Sequence, residues 1–332
     1  MKVVMRPIAY HWLLAGLAAA LLLALGLALQ QGPMTLNWQA ALFEAGSVDA
    51  TILWQVRLPR ALLAVAVGAT LGLAGAALQG LLRNPLAGPD LIGVTSCAAF
   101  GAVITLYFGL AGLAWFALPA GGMVGAALAV LLIWLLAGSR GGALILILAG
   151  IAISSMVSAL TALALSLAPN PFAMSEIVYW LLGSLANRSG ADLAISLPFM
   201  ATGWVLLLSC GRYLDALTLG EESARTLGFP ASAARWRLVI GVALSVGAAV
   251  SVSGNIGFIG LVVPHLMRPW VGHRPGRLLA ASALAGALLL LLADLLVQWF
   301  PTTQELKLGV ITALLGGPFF LHLVYSARSR AA

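Results

Sequence analysis

The stretch from Ala61 to Leu82, ALLAVAVGATLGLAGAALQGLL, contains no Asp, Glu, Lys or Arg. An α-helix rises 1.5 Å per residue and the hydrocarbon core of a bilayer is about 30 Å thick, so about 20 apolar residues cross it. Gly68, Gly72 and Gly75 recur along the stretch. Residues three and four apart lie on one helix face, and small ones there let a second helix approach closely. The stretch predicts a membrane-spanning helix packed inside a bundle.

Other charge-free runs extend the pattern along the whole chain. They are Leu91 to Ser139, broken at Leu118-Pro119-Ala120-Gly121-Gly122, then Gly141 to Ser175, Leu193 to Gly211, Leu238 to Met267, Leu278 to Ala293 and Leu308 to Ala327. Ser251-Val252-Ser253-Gly254-Asn255 interrupts the run ending at Met267. Ten spans follow: His11–Leu29, Ala61–Leu78, Leu91–Leu110, Trp115–Ala137, Ala143–Leu167, Leu193–Cys210, Trp236–Val252, Ile256–Met267, Leu278–Trp299 and Leu306–Tyr325. The eighth is too short to cross alone and must be extended, tilted, or packed where protein rather than lipid surrounds its ends. Gly121 and Gly125 give the fourth span a small-residue face like that of the second.

Composition agrees. Of 332 residues, 62% are hydrophobic and 8% charged, against roughly 45–50% and about 25% in soluble globular chains. The mean hydropathy is +1.05. These values exclude an ordinary soluble, disordered, collagenous or disulfide-rich protein. Cys97 and Cys210 both sit in apolar stretches, with no CxxC or Cys/His metal spacing. The expected class is an all-α polytopic membrane protein, one transmembrane domain over residues 1–332.

Ten spans place both termini on one side. With that side cytoplasmic, thirteen of the seventeen basic residues face inward, and only Arg57, Arg60, Arg188 and Lys307 lie outside. The positive-inside rule favours this orientation. It also accounts for the net charge of +7 without nucleic acid. Lys2 and Arg6 precede the first span like the start of a signal peptide, but Leu29-Gln30-Gln31-Gly32-Pro33 lacks a small-x-small cleavage pattern. The first span is therefore read as a retained helix.

Catalytic constellations are missing. There is no phosphate-cradling loop, no HExxH, no GxSxG and no pair of carboxylates within one span. His11, His265, His273 and His322 are far apart in sequence and read as structural. Asp294 is the one carboxylate well inside an apolar span. It is either a hydrogen-bonded packing residue near a helix end or a proton or sodium site, since a charge at that depth is costly.

The longest inward loop, Gly211 to Arg235, contains Leu219-Gly220-Glu221-Glu222-Ser223-Ala224-Arg225-Thr226-Leu227-Gly228-Phe229-Pro230. Two acids after Gly220 suit a helix N-terminus, and Gly228 followed by Pro230 suits a helix end. A short helix of about two turns outside the membrane is predicted, with Leu219, Ala224 and Leu227 as a small apolar face for a partner.

The spacing of Glu222-Ser223-Ala224 and Gly228 resembles the E-A-A-x-x-x-G pattern of ABC-importer membrane subunits. Further stretches resemble one branch, the FecCD-like permeases of type II importers. They are Arg57-Leu58-Pro59-Arg60; Gln79 with Arg83-Asn84-Pro85-Leu86-Ala87-Gly88-Pro89; Leu91-Ile92-Gly93-Val94; and Tyr179-Trp180-Leu181-Leu182-Gly183-Ser184-Leu185. Gly257-Phe258-Ile259-Gly260-Leu261-Val262-Val263-Pro264-His265 with Arg268 follows, then Glu305, Gly309, Thr312 and Gly316-Gly317-Pro318-Phe319-Phe320. Lys307 departs from the family's usual E-L-P-x-G, which leaves the start of the last helix open.

The resemblance implies a ten-helix permease in the bacterial inner membrane, both termini cytoplasmic. It implies a homodimer with the pathway on its axis, two separate ATPase subunits below and one periplasmic binding protein above. Cofactors are expected only in the ATPase, as ATP and Mg. The cargo is a metal chelate: haem slightly ahead of ferric siderophores, with cobalamin as the alternative. Leu219, Gly220, Glu221, Glu222, Ala224, Arg225 and Gly228 are then the coupling residues, in a loop of about 212–235. Asn84 and Leu86 are the cytoplasmic gate, and Arg57 and Arg60 dock the binding protein. No catalytic or metal-binding residue is expected in this chain. The competing class is an ion-coupled secondary transporter built on Asp294.

Overall fold

A computed structural model describes residues 9–32, 34–138, 141–300 and 306–331. Lys2, Arg6, Arg140 and Glu305, used in the sequence reading, lie outside these residues. Helices α1 Tyr10–Gln30, α2 Trp38–Phe43, α3 Val48–Thr51 and α4 Leu58–Leu81 come first, with a π-helical turn, Ile52–Arg57, joining α3 to α4. Then follow α5 Val94–Tyr107, α6 Ala117–Ala137, α7 Ala143–Ser166, α8 Pro171–Leu181 and α9 Gly190–Ser209. The last are α10 Gly211–Leu217, α11 Glu221–Thr226, α12 Ala231–Ser253, α13 Ile259–Met267, α14 Pro275–Trp299 and α15 Leu308–Ala331. The described residues contain no strand.

Seven helices are long and apolar enough to cross a bilayer: α1, the continuous helix Val48–Leu81, α6, α7, α9, α12 and α14. Each coincides with one predicted span. The other three predicted spans are the shorter apolar α5, the nine-residue α13, and α15, whose apolar part is Leu308–Leu321. The break before α13 falls later than the sequence suggested. Helix α12 continues to Ser253, and the chain turns through Gly254 and Phe258, both at positive φ. Helix α13 packs against α4, α14 and α15, so protein surrounds it as a half-span requires.

Four helices, α2, α3, α8 and α10, were not foreseen. Asn170 caps α8 by accepting from the Ala173 amide, and Pro171 occupies its first turn. Helix α10 follows α9 after a single kink at Cys210.

Helix α4 is the hub, packed against α14, α13, α12 and α9. Its seam with α14 is backbone against backbone. A Cβ on Gly68 would collide with the Gly286 carbonyl oxygen, one on Gly286 with that of Gly68, and one on Gly72 with that of Ser282. Gly101, Gly121 and Gly125 make a second seam of this kind between α5 and α6. The glycine faces read from sequence are thus real contact faces. At the other extreme, α1 is mostly exposed along its length.

Alternating spans give the bundle two ends. The α11 end gathers Arg83, Arg212, Arg225, Arg235, Arg237, Arg268, Arg274 and Arg277; the α8 end has Arg57, Arg60, Arg188 and Lys307. At the α8 end three chain segments cross. Ser184 donates its amide to the Ser253 carbonyl at 2.8 Å, and Gly309 donates to that of Gly183 at 3.3 Å. The last helix starts at Leu308, with the Lys307 carbonyl accepting from Val310 and Ile311.

Gly72→Leu is expected to destabilise the chain by about 3 kcal/mol, the upper range for overpacking a closed contact. Gly16→Leu, on the open face of α1, where a Cβ meets nothing within 4 Å, is expected to be neutral. Thermal unfolding of both variants in detergent checks this, and equal midpoints would refute the seam's importance.

Candidate functional site

The predicted short helix at the Gly211–Arg235 loop is α11, with residues Glu221–Thr226. Gly220 enters it at φ 109° and Gly228 leaves it at φ 85°, both in the region that disfavours side chains. At the C-terminal end Phe229 donates to the Ala224 carbonyl at 3.1 Å and Gly228 to that of Arg225 at 2.9 Å. This is a Schellman closure, which satisfies carbonyls that the helix end would otherwise leave open. Ala224 is fully buried, whereas Leu219 and Leu227 are 70% and 60% exposed. The three do not form one face as the sequence suggested: Ala224 turns into the bundle, and the two leucines project outward.

What holds α11 was missed in sequence. Glu221 accepts from Arg225 at 3.0 Å and from Arg235 at 2.9 Å. Arg235 is buried on α12, and its other guanidinium nitrogen donates to the Gly141 carbonyl. One side chain therefore ties α11, α12 and the entry to α7 together. Glu222 and Arg225 remain exposed. Only partner geometry distinguishes Glu221, which faces inward, from Glu222, which does not.

At the same end, the turn after α4 is rigid. Arg83 adopts φ 49°, and the Asn84 side chain accepts from the Leu86 amide at 2.9 Å. Pro85 already restricts Asn84 away from helical geometry. Leu86 is 43% exposed. Beside this turn Arg268 donates to Gln79 Oε1 at 2.5 Å, and Gln79 donates to the Leu261 carbonyl at 3.4 Å, which fixes the end of α13 to α4.

At the α8 end the two arginines expected to dock a partner are engaged within the chain. Arg57 is buried, and its guanidinium donates to the carbonyls of Leu29 (3.0 Å), Gln30 (2.7 Å) and Met34. It caps the C-terminal end of α1. Arg60 forks onto Asp294, with Nε and Nη2 at 2.9–3.2 Å from the two carboxylate oxygens. Gln298 adds a bond to Asp294 Oδ2 at 2.8 Å. The sequence placed these arginines just before a span starting at Ala61; the helix instead begins at Val48 and carries both into the bundle. Both Asp294 oxygens are thus occupied, as the packing reading of that residue expects.

A profile of the FecCD transport family matches residues 16–326. The chain belongs to the FecCD transport family. The Fe(3+) dicitrate transport system permease protein FecD of Escherichia coli K12 is 40% identical over 309 residues, 91% of this chain and 94% of that protein. The hemin transport system permease protein HmuU of Yersinia pestis is 38% identical over 315 residues, 93% of each. A solved metal-chelate type ABC transporter in an inward-facing conformation superposes with a TM-score of 0.85 at 34% identity, covering 94% of this chain and 98% of that one. This FecCD chain is thus a membrane permease with the type II ABC importer fold. Its relatives are transport subunits for several chelates.

Truncating one partner of a buried pair leaves an uncompensated charge, at a cost of about 3–5 kcal/mol. Arg60→Ala, which leaves Asp294 with Gln298 alone among the described residues, is expected to lower stability by about that amount. Arg60→Leu combined with Asp294→Leu is expected to recover most of it. Unfolding in detergent micelles measures both, and an undiminished Arg60→Ala protein would remove the clamp.

Proposed function

We propose that two copies of this FecCD permease form the translocation unit of an ATP-driven importer in the bacterial inner membrane. Two ATPase subunits bind the α11 end from the cytoplasm, and a periplasmic binding protein delivers cargo at the α8 end. The cargo is an iron chelate, haem ahead of ferric siderophores, with cobalamin as the alternative. Both termini then lie in the cytoplasm, in keeping with the excess of basic residues at the α11 end.

The observation that carries the reading is α11. It is a six-residue helix outside the spans, closed at both ends by glycines at positive φ and strutted by Arg235. A solvated connector gains nothing from such rigidity. A lever pushed by a partner needs it, because motion at α11 must reach α12 and α7 without being absorbed. Leu219, Leu227, Glu222 and Arg225 are the side chains left outward for the partner. An ion-coupled carrier built on Asp294 is disfavoured, since that carboxylate is spent on Arg60 and Gln298. Asn84 and Leu86 are assigned as the inner gate, where two copies of the rigid turn meet on the dimer axis. Docking of the binding protein through Arg57 and Arg60 would require releasing α1 and Asp294.

Co-reconstitution with the ATPase and binding protein tests the reading through uptake of labelled chelate. Gly228→Val strains the αL closure, and Arg235→Ala removes the strut. Each is expected to reduce ATP-driven uptake at least tenfold with the chain still folded. Normal uptake by both variants would reject the coupling assignment. Leu86→Cys is expected to cross-link between copies in the gate-closed state; Cys97 and Cys210 are buried and do not compete. No cross-link in any nucleotide state would reject the gate.

A further inference from the structure

A cavity of about 470 Å³ opens at the α8 end, between α8, the segment after it and the start of α15. Tyr179, Trp180, Glu176, Arg188 and Lys307 line it. Two of these are cations and one is an acid, and neither cation forms an ion pair with a carboxylate among the described residues. Asp192, the nearest acid in sequence, lends Arg188 a favourable charge interaction but no hydrogen bond, and its Oδ2 accepts from the Ser189 amide at 2.8 Å and the Ser189 hydroxyl at 2.9 Å as part of the α9 cap. Arg188 Nε is buried with no acceptor among the described residues. A guanidinium nitrogen withdrawn from water without an acceptor is unfavourable, so the site gains from a ligand that brings oxygen acceptors and negative charge.

Lys307 is held differently. Its ammonium sits 5.2 Å from the centroid of the Tyr179 ring. An aromatic face orients a cation without neutralising it. The backbone beneath is fixed by the crossing of Gly183, Ser253 and Gly309, so the rim does not collapse onto its own charges. Lys307 is also the position at which this chain departs from the proline of the pattern it otherwise follows.

We propose that this cavity receives the anionic part of the cargo, and that Arg188 and Lys307 select chelates bearing free carboxylates over neutral ones. Tyr179 supports Lys307 and offers a flat apolar wall to the ligand. Glu176 offsets one positive charge, so the site rewards a chelate with a net negative charge without demanding a highly charged one. This deepens the import reading and rests on it. It places the choice of cargo class partly in the permease rather than wholly in the delivering protein.

Equilibrium dialysis of the full chain in lipid nanodiscs, with labelled ferric dicitrate, haemin and cyanocobalamin as probes, tests it. Retention of at least one of the two carboxylate chelates is expected to be tenfold tighter than that of cyanocobalamin, and to weaken with added salt. Lys307→Gln and Arg188→Gln are each expected to lower that retention about tenfold, with unchanged thermal unfolding, while Lys307→Arg restores it. Equal retention of all three probes, failure to retain either carboxylate chelate, or retention unchanged by both Lys307→Gln and Arg188→Gln would overturn the proposal. Uptake in the reconstituted complex is read separately. ATP-driven uptake without carboxylate preference fails this inference alone, whereas no engagement of any ATPase fails the import reading itself.

Discussion

The bundle depends on how closely α4 and α14 approach. Lipid tails are as apolar as leucine side chains, so burying apolar surface between helices yields little in a membrane, and packing has to supply the association. Gly68, Gly72 and Gly286 permit contact at the level of the backbone. With α4 seated on α14, its remaining faces can receive α13, α12 and α9. The half-span α13 exists only because that shell encloses it. A lone nine-residue helix in lipid would leave its terminal amides and carbonyls unsatisfied. The glycine seam therefore sets helix spacing and also makes an otherwise unstable element possible.

The Arg60–Asp294 pair adds register to that seam. Glycine faces tolerate sliding, because a smooth surface offers little resistance along the helix axis. A forked guanidinium on a carboxylate has one good geometry. With Arg60 on α4 and Asp294 on α14, sliding by one turn would separate them by about 5 Å. Arg57, one turn before Arg60, fixes α1 by its terminal carbonyls in the same way. Both arginines thus serve the α8 end as position locks.

The spans were legible because membrane burial imposes a one-dimensional rule, that charge is absent for about 20 residues, and each of the ten predicted runs corresponds to a helix. The small-residue faces were legible because helical periodicity is local. Partners across the bundle were not. Arg60 and Asp294 are 234 residues apart, and Gln79 and Arg268 are 189 apart. No spacing rule links them, so Arg57 and Arg60 read as surface charges. Helix α8 was hidden because its apolar residues continue the run of α7. Within the Gly211–Arg235 loop the end signals were readable and correct, since Gly220 and Gly228 act through local backbone geometry. The division of labour between Glu221 and Glu222 was not, because it is set by Arg235 on another helix.

That division bears on how a displacement of α11 would reach the rest of the bundle. Helix α11 has few contacts of its own, so a push on Leu219 and Leu227 would be lost if α11 simply rocked. Arg235 prevents this by holding Glu221 and the Gly141 carbonyl at once. Gly141 immediately precedes α7, which buries one stripe, Leu146, Ala149, Gly150, Ile153 and Val157, and leaves the rest of its surface outside this chain's core. Among the long spans it is loosely held, whereas α12 is buried on nearly every face. A displacement delivered jointly to α12 and α7 therefore meets resistance on one side and yields on the other. Helix α7 leads directly into α8 and the cavity that Lys307 and Arg188 line. Helix α7 thus offers a displacement at the α11 end a path to the α8 end.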